Sequence, residues 1–218
     1  DPASFDGSGA IRRARSCALL ESPSRPLDAA RMMAILSDHG GSSSPLPDGP
    51  TLCMHPYPGG SWGNTAASLV ADLCGDGSRL PVHWCSFYSP CLGLFLPIFL
   101  EGELPPVLSV GGKESSADSP WWGFHRLGHA VREEPESRWA LVRDRWRPLQ
   151  ERLLATAYPL AERAQRMLAA GEEEAAHRLL SDYMAENPRQ MRTTLAQLLD
   201  ALDGTGETSA SSQALSSV

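Results

Sequence analysis

Residues 83–91 read HWCSFYSPC and run directly into the apolar segment LGLFLPIFL. The alternation through PVHWCSFY (81–88) has the two-residue period of a strand with one face on a core, and it puts His83 and Cys85 on a common face. Ser89-Pro90-Cys91 then turns the chain into a second strand within CLGLFLPIFLEG. Upstream, NTAASLVADL sets Thr65, Ala67, Leu69 and Ala71 against Ala66, Ser68, Val70 and Asp72. Its alanines also suit a short helix. The Cys74-Gly-Asp-Gly that follows, returning into PVHW, favours a hairpin and hence antiparallel strands. TLCMHP (51–56) adds a further short strand, and RRARSCALLE (12–21) a weakly alternating one.

The flanks read differently. A helix begins near Leu27 and Asp28, with Ala29, Met32, Met33 and Leu36 as its apolar stripe, and ends before Gly40 and Gly41. From Trp121 onward the period is helical. WWGFHRLGHAVREE forms one helix, and Pro135 opens the next, where its missing N–H costs nothing. RWALVRDRWRPLQERLLATAYPLAERAQRMLAA reads as one long helix kinked at proline, or as two in line. GEEEAAHRLLSDYMAEN and PRQMRTTLAQLLDALDG follow as two more helices, and GTGETSASSQALSSV as a frayed tail. The predicted plan is α+β: a sheet-rich part over 1–118, a helical region over 119–203 and a flexible tail over 204–218.

Composition narrows the function. A net charge of -7, with no clustered Lys or Arg, excludes a general nucleic-acid binder. No apolar run is long enough to span a bilayer, and DPASFDGSGAIRR lacks the apolar centre of a secretory signal. The five cysteines (17, 53, 74, 85 and 91) are odd in number and include no C-x-x-C. Their spacing predicts neither a disulfide framework nor a metal site, so no cofactor and no metal ligand is assigned, and a reducing, cytoplasmic setting is expected.

Few residues suggest chemistry. Cys85 beside His83 would be a thiol and its base, although an inert buried cysteine accounts for the same pattern. His125 and His129 stand four apart on a helix, without the glutamate of H-E-x-x-H or a third ligand. Asp38-His39 is either a hydrogen-bonded pair near a cleft or a solvated helix end. In MHPYPGGSWGNTA the glycines 59, 60 and 63 allow close backbone approach. Asn64 and the N–H groups around it are then candidates to meet an oxyanion or a substrate carboxylate. The predicted site consists of Asn64 and His83 as catalytic residues, with Gly60 and Gly63 binding substrate. Trp121-Trp122 reads as the anchor of the helical part on the sheet.

Taken in order, ARMMAILSDHG, TLCMHP, NTAASLVADL, HWCSFYSPCLGLFLP and WWGFHRL resemble the dipeptidase/secernin family over residues 11–155. That family looks like a branch of the N-terminal nucleophile hydrolases, which have an αββα sandwich and hydrolyse amide bonds. The resemblance implies a peptide or small amide substrate and a cysteine nucleophile whose own α-amine serves as base. The motifs correspond to the family's carboxy-terminal half, so Cys17 maps to an interior position and not to the nucleophile. The expectation is the carboxy-terminal part of a cysteine-type amide hydrolase, its nucleophile supplied by an upstream segment or partner chain that completes the sandwich. A non-catalytic, secernin-like interaction protein and a self-sufficient thiol enzyme using Cys85 and His83 are the alternatives. A homo-oligomer stays open.

Overall fold

The computed structural model describes residues 8–22, 26–42, 44–47, 49–56 and 63–214, with side chains from residue 9 to residue 203. The chain is α+β: helices α1 (Ser8–Glu21) and α2 (Ala29–Leu36), strands β1 (Ala67–Asp72), β2 (Val82–Phe87) and β3 (Leu96–Ile98), then helices α3 (Pro120–Glu133), α4 (Pro135–Ala169) and α5 (Glu173–Ala214). The strands form one antiparallel sheet in the order β1-β2-β3. Ala67 lies opposite Phe87 and Asp72 opposite Val82, while Cys85 faces Leu96 across the other edge.

The hairpin therefore forms where the alternation placed it, and it sorts the side chains into two unlike faces. Val70, Val82 and Trp84 are buried on one face, where the Trp84 ring packs against Tyr158 of α4 at 6.1 Å. On the other face Ala67, Leu69 and Ala71 are exposed, and His83, Cys85 and Phe87 are only half-buried. Leu69 retains 59% of its surface. Among the described residues, this side of the sheet thus has no covering layer where β1 runs.

Three expectations are corrected. RRARSCALLE is part of helix α1, not a strand. Its helix is held by charge more than by burial: Arg15 makes a two-pronged contact to Asp38, and Arg31 donates to the carbonyls of Leu19 and Ser22 at the helix's C-terminal end. TLCMHP takes part in no strand, although Thr65 closes on it by giving its N–H to Met54 O and receiving Met54 N–H at its hydroxyl. The last two predicted helices are one, α5, which runs through Pro188 and continues to Ala214, into the segment expected to be a tail. Met184, Met191, Leu195 and Leu198 continue one buried stripe across that proline, and their burial offsets its local cost of about 3 kcal/mol.

Other elements follow their sequence signals. Asp28 caps α2 by accepting from Arg31 N–H at 2.7 Å. Helix α4 is a single helix that accommodates Pro148 and Pro159. It ends at Gly171, whose φ of +79° is the left-handed conformation that glycine adopts without strain. Gln150 of α4 bonds both backbone groups of Phe95, tying the approach to β3 onto the helix. Among the described residues, no helix is long and apolar enough to cross a membrane.

Tyr158 gives the fold a pH signature. Its hydroxyl donates to Asp72 at 2.8 Å, and its burial first, then Asp72, push its pKa up to about 12. The unfolded chain, with a phenol near 10, loses this proton first. Stability is therefore complete below pH 10 and falls as the pH rises toward 12. Tyr158→Phe should flatten that decline in urea unfolding; an unchanged slope would place the alkaline sensitivity elsewhere.

Candidate functional site

Two polar constellations meet at the end of the sheet where β1 begins and β2 ends. The first is an open cavity of about 330 Å³, lined by Pro56, Asn64 and Tyr88 on one side and by Trp121, His125, His129 and Arg132 of α3 on the other. The turn leaving β2 creates it. Tyr88 has a φ of 59°, left-handed and uncommon for a bulky residue. Its N–H bonds Ala66 O, its ring packs edge-on against Trp121 and His125, and its hydroxyl accepts from Arg132 at 3.0 Å. The ring seats directly on Gly128, where a Cβ would lie 2.4 Å from it, so α3 approaches this closely only with glycine there. Trp121 donates to Ala66 O, just before β1, and its ring also walls the cavity, whereas Trp122 donates to Gly112 O.

Asn64 is fixed at this cavity. Its Oδ1 accepts from Ser89 Oγ at 2.8 Å and from Arg132 at 3.1 Å, and its Nδ2 donates to Thr65 O. A carboxamide has two N–H groups, so one remains for a ligand. The guanidinium of Arg132 and the imidazoles of His125 and His129 make the opposite wall basic or neutral. Burial, together with the neighbouring His129, lowers the His125 pKa. The two histidines place their Nε2 atoms 3.3 Å apart.

His83 lies elsewhere. It sits at the far end of β2, opposite Ala71 and Ile98, and lies five residue steps before Tyr88, about 16 Å of rise. The structure therefore does not bring His83 and Asn64 into one site. Cys85 does share a face with His83, but its sulfur approaches the His83 carbonyl at 4.0 Å and not the ring. Burial raises its thiol pKa, the reverse of what an attacking thiolate needs. Gly63 is exposed just before Asn64, whereas Gly60 lies outside the described residues.

The second constellation escaped the sequence reading. His39, Cys53, His55 and Cys91 place one donor atom each within 4.8 Å of one another. Cys53, His55 and Cys91 are buried, and His39 is partly so. His55 Nε2 lies 3.1 Å from His39 Nε2, 3.5 Å from Cys53 Sγ and 3.4 Å from Cys91 Sγ. A backbone contact joins two of these segments: Cys53 N–H bonds the carbonyl of Asp38, beside His39, and the Arg15 side chain and Gly40 N–H hold the Asp38 carboxylate. The cysteines differ in character. Cys53 is driven toward thiolate by the Cys91 hydrogen bond first, with help from His39 and His55. Cys91 is driven up by burial first and then by Cys53. Only Cys53-Met-His55 is local in sequence; that C-x-H was the one available signal, and a strand reading of TLCMHP already puts its two donors on one side.

Ser89 joins the constellations. Its hydroxyl donates to Asn64 Oδ1, and its oxygen lies 3.4 Å from His55 Nδ1. No family model and no curated protein matches this sequence.

Proposed function

We propose that this chain is the carboxy-terminal part of a cysteine-type amide hydrolase acting on peptides or small amides. In this scheme a segment or partner chain supplies both the nucleophile and the second sheet of an αββα sandwich. The observation that carries it is the two-faced sheet: α4 covers the Trp84 side, while Leu69, between exposed Ala67 and Ala71, keeps 59% of its surface and is covered by no element among the described residues. An apolar sheet side of this kind is what a second sheet packs on, about 10 Å away. The order of the five sequence motifs that resemble the dipeptidase/secernin family supports the same reading. So does a cavity that presents a fixed carboxamide beside a guanidinium.

The chemistry assigned to this chain is binding and electrostatic. A thiolate from outside attacks the amide carbonyl, and the resulting tetrahedral oxyanion needs a preplaced donor. The free Nδ2 hydrogen of Asn64 is that donor, and Arg132 and Ser89 hold its carboxamide in orientation from the Oδ1 side. The amine leaves with the proton that the nucleophile's own α-amine had taken from the thiol, and water, activated by the same amine, then releases the acyl group as a carboxylic acid.

In the protein completed by its partner segment, turnover of a dipeptide panel followed by amine release should fall about 10²-fold or more in Asn64→Ala, with unfolding little changed. An unchanged rate would remove Asn64 from the site. No hydrolysis across dipeptides and amino-acid amides by the wild-type protein would favour the non-catalytic interaction protein.

A further inference from the structure

We propose that His39, Cys53, His55 and Cys91 form a structural zinc site that ties three separate segments of the chain together. The donor set is two imidazoles and two thiols, a combination that zinc takes in closed tetrahedral sites. Bonds of roughly 2.0–2.3 Å at tetrahedral angles place ligand atoms roughly 3.3–3.8 Å apart. The three separations from His55 Nε2, at 3.1, 3.4 and 3.5 Å, lie in or close to that range, and the four donor atoms, all within 4.8 Å of one another, would draw in further around an ion.

Tautomer and orientation also fit. Ser89 donates its only hydrogen to Asn64, so its oxygen can only accept from His55 Nδ1, the tautomer that leaves Nε2 unprotonated for a metal. The lone pair of Nε2 then points at His39, Cys53 and Cys91. A ring nitrogen held from outside by a hydroxyl while the other faces three donors is the second-shell pattern of a metal-bound histidine.

Four protein donors leave no open position, which makes the ion structural and not a generator of hydroxide. His39 follows α2, Cys53 and His55 belong to the segment before β1, and Cys91 lies in the turn after β2. The ion therefore fixes that turn, and with it Tyr88, Ser89 and the orientation of Asn64. The site stands independently of amide hydrolysis, since zinc content is read without a substrate.

The test is elemental analysis of the full chain purified under reducing conditions with zinc supplied, alongside cobalt(II) substitution. One zinc per chain is expected, with cobalt giving the intense visible bands of a tetrahedral sulfur–nitrogen site. Because Cys91→Ser or His55→Ala could fail to fold, His39→Ala is the decisive variant: its side chain is partly exposed, and affinity should fall about a hundredfold or more. Ser89→Ala should weaken binding about 10–100-fold, while Cys85→Ser should leave it unchanged. Three results would overturn the site: no zinc on the folded, reduced wild-type chain, undiminished affinity in His39→Ala, or a Cys53–Cys91 disulfide, seen as loss of two hydrogens in intact mass.

Discussion

Dialysis against a strong zinc chelator should lower the midpoint of thermal unfolding by about 8–16 °C. A ligand that binds only the folded chain at 1,000 times its dissociation constant contributes about 4 kcal/mol. In a chain of this size each kcal/mol moves the midpoint by about 2–4 °C. The residues freed explain why the loss falls on the fold. Cys53 and Cys91, both essentially inaccessible, would be left with their sulfurs facing each other and two imidazoles. Restoring zinc should restore the midpoint, whereas magnesium, which prefers oxygen donors, should not. Scanning calorimetry before and after chelation reads the effect, and an unchanged midpoint would mean that the four side chains bear no structural ion.

Trp84→Ala should cost about 3–5 kcal/mol in denaturant unfolding. Trp84 is completely buried at the centre of the three-stranded sheet, opposite Val70 on β1 and Pro97 on β3, and its ring is the contact that seats Tyr158 of α4. Deletion leaves a cavity between sheet and helix that rigid strands cannot close. It also loosens the Tyr158 hydroxyl from Asp72, which Arg79 holds at 2.6 Å. Trp84→Phe should cost markedly less, because a ring remains to pack on Tyr158. Folded Trp84→Ala should still bind one zinc, since Trp84 lies on the strand and not in the turn that carries Cys91. A loss below about 1 kcal/mol would show that the sheet is held chiefly by something other than its α4 side.

Trp84 lies in the part of the fold that could be read from the chain, and the four metal-binding side chains lie in the part that could not. The β1–β2 hairpin, α2 with its Asp28 cap, α3 and α4 follow from alternation, periodicity and local turn chemistry. Helix α1 did not, because none of its described side chains is buried and its stability comes from Arg15 and Arg31 reaching residues distant in sequence. Pro188 suggested a break in α5, yet the buried stripe on both sides outweighs it. Asn64 was legible as a polar residue after glycines; its partners Ser89 and Arg132, at 25 and 68 residues' remove, were not. The zinc ligands were hidden for the same reason. Cys91 stands 36 residues from His55 and His39 stands 16 away, so only folding makes them neighbours.

The central claim concerns where the nucleophile lies. An electrophilic dipeptide analogue should inactivate the completed protein, and peptide mapping should find the adduct on a cysteine outside this chain, with Cys17, Cys53, Cys74, Cys85 and Cys91 unmodified. An adduct on Cys85 that tracks the loss of activity would contradict the account and assign the chemistry to the strand in HWCSFYSPC.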